Sequence, residues 1–307
     1  MAMNLSLTHR LPKNPGIAIV AVSGCALDEL ALERGIQALS ARGFSVHHYY
    51  DHGQRFQRFG ATDADRLCQL HAAIDNPEVQ IVMALRGSYG LSRLLPNIDF
   101  KKLAESKKYL VGYSDFNALQ LAMLAKTGAN SFCGPMLCDD FSRIELSDFT
   151  LNNFDECISS SHHSIQFEAL NNPEVDVSGR LWGGNLAMLT HLLGTEYFPP
   201  IDQGILFVED IAEHPYRVER MMLQLHYAGV LNKQKAIVFG DFSAYKLAAL
   251  DNGYNFEEMI AYLRQTLSVP ILTGLPFGHI KDKVTLVIGS DAHLLSNSDT
   301  VHLSMQY

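Results

Sequence analysis

Residues 109–116 read Tyr-Leu-Val-Gly-Tyr-Ser-Asp-Phe, an apolar run that passes into a helical pattern without a linker. The run predicts a short strand over residues 109–113, and apolar residues recur at helical spacing from Phe116 onward. A strand that turns directly into a helix is typical of a parallel sheet covered by helices. Ser114 lies at the turn itself.

The same alternation extends outward through the first 140 residues. Further strands are predicted at 17–22, 44–50 and 79–85, with amphipathic helical segments between them. The strand at 79–85 leads into Arg86-Gly87-Ser88-Tyr89-Gly90, a loop of mostly small residues at the carboxyl end of a strand, where open α/β sheets bind ligands. We therefore expect an amino-terminal α/β domain with a parallel sheet over residues 1–140.

The second half of the chain predicts a smaller α/β domain over residues 177–307. Strands at 205–208 and 236–239 flank a helix at 215–228, which begins with Pro and is followed by Gly. Between residues 141 and 176 the apolar periodicity weakens and two Asn pairs, Pro173 and a Ser/His cluster occur. We expect the crossover between the domains in this segment.

Composition argues against several classes of partner. The chain has 307 residues, with 24 Lys+Arg against 33 Asp+Glu and a net charge of -9, so it lacks the basic surplus that binds nucleic acid or anionic membranes. Residues 1–16 show no secretory signal pattern, and five cysteines on so long a chain do not suggest a disulfide scaffold. These features favour a reducing compartment, the cytoplasm.

Ser114 is the sharpest candidate for chemistry. At a strand-to-helix turn its hydroxyl is lifted out of the sheet, and the next backbone N–H can point at an oxyanion. Only half of the G-x-S-x-G pattern is present, because Phe116 replaces the second glycine. A serine at this place is also a common helix N-cap, so the turn alone leaves both roles open.

A nucleophilic serine needs a base and a carboxylate from other loops. His279 is a candidate base because Pro276 and Gly278 precede it in a loop. Glu209 and Asp210 both follow the apolar run at 204–208, and period-two alternation sends them to opposite faces, so we expect only one of them to join a site. The pattern does not choose between them.

Metal and nucleotide motifs are missing from the sequence. It contains no H-E-x-x-H, no G-x-G-x-x-G after the first strand and no G-K-[ST] phosphate loop. Cys133 and Cys138 are too isolated to form half of a four-cysteine zinc site. We therefore expect neither a metal nor a cofactor.

Seven segments, taken together, resemble the serine LD-carboxypeptidases of bacterial murein recycling. They follow that family's order over nearly the whole chain and comprise residues 58–63, 86–90, 112–116, 131–136, 181–187, 208–220 and 273–279. The resemblance implies an amino-terminal domain like class I glutamine amidotransferases, a smaller carboxy-terminal domain, an active site in the cleft between them, and a homodimer.

The resemblance also implies a catalytic triad and a reaction. The nucleophile would be Ser114, the base His279 and the orienting carboxylate Glu209, with the backbone N–H groups of Asp115 and Ser88 as the oxyanion hole. The expected reaction is hydrolysis of the amide that links the L-centre of meso-diaminopimelate to terminal D-alanine in a small muropeptide.

One departure from the family pattern concerns the oxyanion loop. The family usually has R-G-G-Y-G, whereas Ser88 stands here at the second glycine. If that position requires a positive φ, serine is strained, although its backbone donor is retained, and we expect activity to persist.

Substrate contacts are predicted at five positions in two segments. The residues are Arg86, as a carboxylate clamp, Gly87, Trp182, Gly183 and Asn185. Arg86 has an alternative, purely structural role, in which its aliphatic stem packs beside the loop. Trp182 is expected either to wall the substrate pocket or to lie in the core.

The sequence is also compatible with two alternative functions. Members of the family that resemble microcin C self-resistance proteins cleave a peptidyl-nucleotide amide with the same triad. Alternatively, two α/β domains around a cleft can close on a ligand without reacting with it.

Overall fold

The structure is a computed structural model that describes residues 11–297 and 299–307. The prediction that residues 1–16 carry no secretory signal falls mainly on residues 1–10, which lie outside the described residues. Within the described ranges, no helix has both the length and the apolar character needed to cross a bilayer.

The amino-terminal half of the described chain alternates strands and helices, as predicted. Its strands are β1 (Gly16–Val20), β2 (Ser45–His48), β3 (Val79–Ala84), β4 (Tyr109–Gly112) and β5 (Ser131–Cys133). Its helices are α1 (Glu29–Ala41), α2 (Asp63–Asp75), α3 (Phe100–Glu105) and α4 (Asn117–Thr127). The strands pair in parallel in the order β5-β4-β3-β1-β2. Both β1 and β4 are buried along their whole length, as a sheet covered on both faces requires.

Local sequence signals fix the ends of the first helices. At the start of α1, the N–H of Ala31 donates to Asp28 Oδ1 at 2.6 Å, and beyond its end Gly43 has a φ of +91°. At the start of α2, the N–H of Asp65 donates to Thr62 Oγ1 at 3.3 Å. The Thr62 hydroxyl also donates to the Asp65 carboxylate at 2.6 Å, so the two residues form a local cap as the sequence indicates.

The second half of the described chain builds a mixed sheet. Its helices are α5 (Asp148–Ile158), α6 (Leu186–Leu192), α7 (Pro215–Tyr227) and α8 (Phe256–Thr266). Its strands are β6 (His162–Glu168), β7 (Val175–Asn185), β8 (Ile205–Ile211), β9 (Ala236–Ser243), β10 (Ile271–Leu272), β11 (Leu286–Ile288), β12 (Asp291–Ser296) and β13 (Thr300–Gln306). All of these strands except β11 form one sheet in the order β10-β9-β8-β7-β12-β13-β6. It is parallel from β7 to β10 and antiparallel from β12 to β6.

The predicted crossover contains a helix and a strand that attach to different halves of the molecule. In α5, the ring of Phe154 lies 6.2 Å from that of Phe141 and 6.4 Å from that of Phe44, so this helix packs on the amino-terminal half. The next strand, β6, pairs with β13 in the second sheet. Conversely, β11 comes from the second half of the chain but pairs antiparallel with β5, and it forms the edge of the first sheet. The two halves are therefore joined by strand pairing as well as by side-chain contacts.

Candidate active site

Ser114 lies on a strained turn at the carboxyl end of β4. It begins a 3-10 turn, Ser114–Phe116, that continues into α4. Its φ of +62° lies in the left-handed region that a serine rarely adopts. Gly87 from the neighbouring loop packs against it, because a β-carbon built on Gly87 would come 2.8 Å from Ser114 Oγ. The turn thus places the serine hydroxyl at the carboxyl end of β4, packed against the backbone of Gly87.

Three predicted site residues lie in one hydrogen-bonded chain. His279 Nε2 is 3.1 Å from Ser114 Oγ, and His279 Nδ1 is 2.8 Å from Glu209 Oε2. Ser114 follows β4 of the first sheet, whereas Glu209 lies on β8 and His279 on the loop after β10. Because a carboxylate only accepts hydrogen bonds, a neutral imidazole here carries its proton on Nδ1, which leaves Nε2 to accept from the hydroxyl.

The surroundings of His279 favour its protonated form. Burial by itself lowers the pKa of an imidazole, because it penalises the charged ring. The hydrogen bond to Glu209 and the negative charges of Glu209 and Asp139 outweigh burial and raise the pKa of His279, with Lys283 opposing the rise. A ring that gains a proton at this position is therefore stabilised.

The structure brings both candidate carboxylates to the same amide group. Asn185 Nδ2 donates to Glu209 Oε1 at 3.2 Å and to Asp210 Oδ1 at 2.9 Å. Both carboxylates reach this amide, although alternation was expected to send them to opposite faces, because the β8–β9 register shifts between Val208 and Asp210. Only one of them joins the chain of contacts to Ser114, as expected. Glu209 alone contacts the imidazole.

Asp210 instead anchors the start of α6. Its Oδ2 accepts from the N–H of Ala187 and its Oδ1 from the N–H of Ile211, both at 2.9 Å. Burial, followed by the charge of Glu209, raises the pKa of Asp210 to about 6. Asp210 therefore supports the residues that hold Glu209.

The two backbone donors predicted as the oxyanion hole, the N–H groups of Asp115 and Ser88, belong to the Ser114 turn and to the loop that packs on it. Among the described residues, none accepts a hydrogen bond from the N–H of Asp115 or of Ser88. The loop approaches Asp115 closely, since a β-carbon on Gly87 would lie 3.6 Å from Asp115 N. The Asp115 carboxylate fixes the turn to the loop by accepting from Ser23 Oγ at 2.6 Å and from the N–H of Leu91 at 2.9 Å.

Ser88 has the strain that the sequence led us to expect. Its φ is +86°, a conformation that suits glycine. The side chain gains one compensating contact, because Arg58 Nη2 donates to Ser88 Oγ at 2.7 Å. This bond ties the loop to the segment before α2.

Trp182 takes the second of its two expected places, the core rather than the pocket wall, and Gly183, predicted as a substrate contact, is also buried in the second sheet. The indole is completely buried, donates from Nε1 to Gln234 Oε1 at 2.9 Å and packs edge-on against Phe198. A β-carbon on Gly183 would come 1.9 Å from the carbonyl oxygen of Phe207, so this glycine allows β7 to approach β8. Both residues serve strand packing in the second sheet.

The other predicted substrate contacts lie beside the hydrogen-bonded chain. Arg86 is half-buried, its Nη1 lies 3.4 Å from the carbonyl oxygen of Cys25, and its buried Nε has no partner among the described residues. Gly87 packs on Ser114, as described above. Asn185 is buried and committed to the two carboxylates, so it supports the site rather than facing it.

Sequence reasoning missed a buried asparagine that links the two halves. Asn117 Oδ1 accepts from the N–H of Asn185 at 2.9 Å, and Asn117 Nδ2 donates to Gln120 Oε1 at 2.7 Å. Both Asn117 and Gln120 are completely buried. The available signal was two polar residues inside the apolar helical run that follows Ser114.

It also missed a buried lysine. Lys283, four residues after His279, is completely inaccessible and contacts Asp140 and Tyr113. A charged residue is rarely buried unless it is paired, and its partners here come from distant segments. No local pattern could have found them. Among the described residues, no group of three or more His, Cys, Asp or Glu side chains is arranged to hold a metal ion.

Two family models match the chain. The model for the LD-carboxypeptidase N-terminal domain matches residues 17–134, and the model for the LD-carboxypeptidase C-terminal domain matches residues 178–294. The first range contains Ser114, and the second contains Glu209 and His279.

A solved structure and two relatives align with most of the chain. The crystal structure of muramoyltetrapeptide carboxypeptidase from Oxalobacter formigenes is 53% identical, with a TM-score of 0.92 over 95% of this chain and 99% of that one. Murein tetrapeptide carboxypeptidase from Pseudomonas aeruginosa is 27% identical over 281 residues, 87% of this chain and 89% of its own. The microcin C7 self-immunity protein of Escherichia coli is 26% identical over 305 residues, 89% of this chain and 88% of its own.

Proposed function

The chain belongs to the LD-carboxypeptidase family, and from that membership we propose that it removes terminal D-alanine from murein tetrapeptides by serine catalysis. The contacts from Ser114 through His279 to Glu209 carry this proposal. The substrate class is supported by the names of the relatives from Oxalobacter formigenes and Pseudomonas aeruginosa. The bond cleaved joins the L-centre of meso-diaminopimelate to D-alanine.

In the acylation step, Ser114 Oγ attacks the diaminopimelyl carbonyl carbon. His279 Nε2 takes the hydroxyl proton as the new C–O bond forms. The carbonyl oxygen becomes an oxyanion that the N–H groups of Ser88 and Asp115 stabilise. The tetrahedral species then breaks its C–N bond, and the same imidazole returns the proton to the nitrogen of the departing D-alanine.

In the deacylation step, water replaces the amine. His279 removes a proton from water, hydroxide attacks the ester carbonyl, and Ser114 leaves with that proton. Glu209 holds the imidazole through Nδ1 and stabilises the imidazolium in both steps, which a buried carboxylate does more strongly than a solvated one. The products are a murein tripeptide and D-alanine.

The proposed triad takes Ser114 from the first half of the chain and Glu209 and His279 from the second. We propose an amino-terminal domain over residues 1–140 that resembles class I glutamine amidotransferases, a crossover at 141–176 and a carboxy-terminal domain over 177–307. The site would then lie in the cleft between the domains. We further propose a cytoplasmic homodimer, which light scattering of the purified protein tests by its mass.

Cleavage of a peptidyl-nucleotide amide is the competing activity. It is favoured only by similarity to the microcin C7 self-immunity protein, at 26% identity against 53% for the muramoyltetrapeptide carboxypeptidase. A binding protein without catalysis would need no imidazole at hydrogen-bonding distance from a serine. We therefore favour the muropeptide reaction.

Mass spectrometry of a murein tetrapeptide incubated with the wild-type protein and with Ser114→Ala tests the proposal. We expect the wild-type protein to yield tripeptide plus D-alanine, and the variant to be slower by about 10⁴-fold or more. A tetrapeptide ending in L-alanine and a peptidyl-adenylate serve as substrate controls. Near wild-type release of D-alanine by Ser114→Ala would refute the nucleophile, and faster turnover of the adenylate would select the competing activity.

A further inference from the structure

A buried charged cluster contacts the candidate triad through Tyr113. Lys283 Nζ contacts Asp140 Oδ1 at 2.5 Å and Tyr113 OH at 3.1 Å, and it lies 4.5 Å from the centroid of the Tyr113 ring. Lys283 is completely buried, and Asp140 and Tyr113 are almost so. We call these three residues the Lys283 cluster.

The Lys283 cluster connects the two halves of the site. Tyr113 directly precedes Ser114, whereas Lys283 follows His279 on the same loop. The Tyr113 ring also packs edge-on against the imidazole of His279, with ring centroids 5.0 Å apart. One side chain of the cluster therefore touches the ring of the proposed base and adjoins the proposed nucleophile in the chain.

The lysine is held from several sides, so its ammonium group has a defined place. The N–H of Lys283 donates to Thr150 Oγ1 at 2.9 Å, and the Thr150 hydroxyl donates to the carbonyl oxygen of Lys281 at 2.8 Å. Asp140 Oδ2 accepts from the N–H of Met136 at 2.9 Å. Both ends of the ion pair are thus fixed by backbone contacts.

Buried ion pairs contribute little net stability, because desolvation offsets most of their attraction, and in some proteins they specify one geometry instead. We propose that Lys283 is a positioning residue, whose ammonium group, fixed by Asp140 and Tyr113, holds the His279 ring at hydrogen-bonding distance from Ser114. This inference rests on the proposed function. It gives the cluster a role that apolar side chains of the same volume could not fill.

The charge of Lys283 also acts on the imidazole. The charged groups that face His279 are Glu209 on β8, Asp139 after β5 and Lys283 on its own loop, and the uncharged Tyr113 packs on the ring. Glu209 and Asp139 raise the pKa of His279, and Lys283 lowers it. Removal of the lysine charge should therefore move the acid limb of kcat/KM to higher pH.

The chain offers a matched control far from Ser114. Lys126 on α4 pairs with Glu196 after α6 and lies 5.4 Å from the centroid of the Tyr197 ring. This lysine, carboxylate and tyrosine also join the two halves of the molecule, but Lys126 and Glu196 are partly exposed. Lys126→Met removes a similar contact set without touching the proposed site.

The test compares Lys283→Met, Lys283→Arg and the double variant Lys283→Met/Asp140→Asn with Lys126→Met. For Lys283→Met we expect kcat to fall about 100-fold, because small displacements of a base are costly, with KM changed by less than about threefold. Its acid limb should shift upward, whereas Lys283→Arg, which keeps the charge, should retain the wild-type limb. Lys126→Met should match the wild-type protein in kcat and in the limb.

The double variant separates positioning from folding, because it leaves no unpaired buried charge. We expect it to recover the melting temperature lost in Lys283→Met, while kcat stays low and the acid limb stays raised. Wild-type kcat and an unshifted limb in the double variant would overturn the inference. An inactive wild-type protein would instead refute the proposed function, so the two failures are distinguishable.

Discussion

The two halves of the candidate site are built by different means. The Ser114 half is held by backbone: a φ of +62°, a 3-10 turn and the close approach of Gly87. The half containing His279 is held by buried side chains, namely Glu209, which has no exposed surface, and Asn185. We infer that the first half tolerates added volume poorly, whereas the second tolerates poorly the loss of a charge or a hydrogen bond.

The largest expected effect is on the side-chain half. Glu209→Gln keeps the shape of the side chain but removes the charge that stabilises an imidazolium, so kcat should fall by about 10³- to 10⁴-fold. The matched control is Asp210→Asn, because Asp210 shares Asn185 but does not contact His279. Steady-state hydrolysis of the tetrapeptide should show less than about a tenfold loss for the control. Equal losses in the two variants would contradict the separate roles of these carboxylates.

The backbone half should respond to a single added methyl group. Gly87→Ala places a β-carbon 2.8 Å from Ser114 Oγ, closer than real contacts allow. We expect kcat to fall by about 100-fold, since displacement of a nucleophile by less than 1 Å is costly. Gly53→Ala is the control, because its β-carbon would meet only a flexible Asp51 oxygen, at 3.2 Å. Wild-type kcat for Gly87→Ala would show that the turn is not held by this contact.

The pH dependence should distinguish activity from stability at His279. Its pKa is raised, so the pH profile of kcat/KM should show an acid limb whose apparent pKa lies above the ordinary histidine value of about 6.5. Below that pKa, kcat/KM should fall about tenfold per pH unit. The contribution of the Glu209–His279 pair to stability has the opposite sense. It is fully present below the unfolded pKa and is lost as the pH rises through the folded one.

Denaturant unfolding of the wild-type protein and His279→Gln at several pH values checks this second statement. The difference in the free energy of unfolding should be larger in mild acid than in mild alkali. A difference that is independent of pH would mean that the ion pair does not contribute to stability through protonation.

The smallest effect is expected at Ser88. Ser88→Gly relieves a φ of +86° but removes the acceptor of the Arg58 bond, and it leaves the backbone N–H in place. We expect kcat within about threefold of the wild-type value and an unfolding free energy within about 1 kcal/mol. Ser88→Ala, which keeps the strain but loses the bond, should be the less stable of the two in thermal unfolding. The reverse order would show that the greater freedom of glycine in the unfolded chain outweighs relief of the strained φ.

Much of the fold could be predicted from the sequence because its signals are local. Apolar runs predicted the strands β1 to β4 within one or two residues, and the Ser114 turn follows from an apolar strand that enters a helix directly. Trp182 could not be placed, because an indole suits both a pocket wall and a core. Only the three-dimensional partners, Gln234 and Phe198, decide the matter.

Non-local pairing limited the remaining predictions. The shift of register after Val208 has no signature in the alternation of residues, so the choice between Glu209 and Asp210 needed the resemblance and then the contact with His279. The ion pair of Lys283 with Asp140 joins residues far apart in the chain, and β11 enters a sheet that is otherwise built from the first half. Such pairings depend on topology, which periodicity does not report.

The position of β11 has a consequence for synthesis on the ribosome. The edge of the sheet that leads to Ser114 is completed only by Leu286–Ile288, which follow His279 in the chain. His279 has then already been translated. Although domains usually fold in order from the amino terminus, this sheet cannot finish before the loop with the imidazole is available. The nascent chain therefore does not complete the first sheet before His279 has been made.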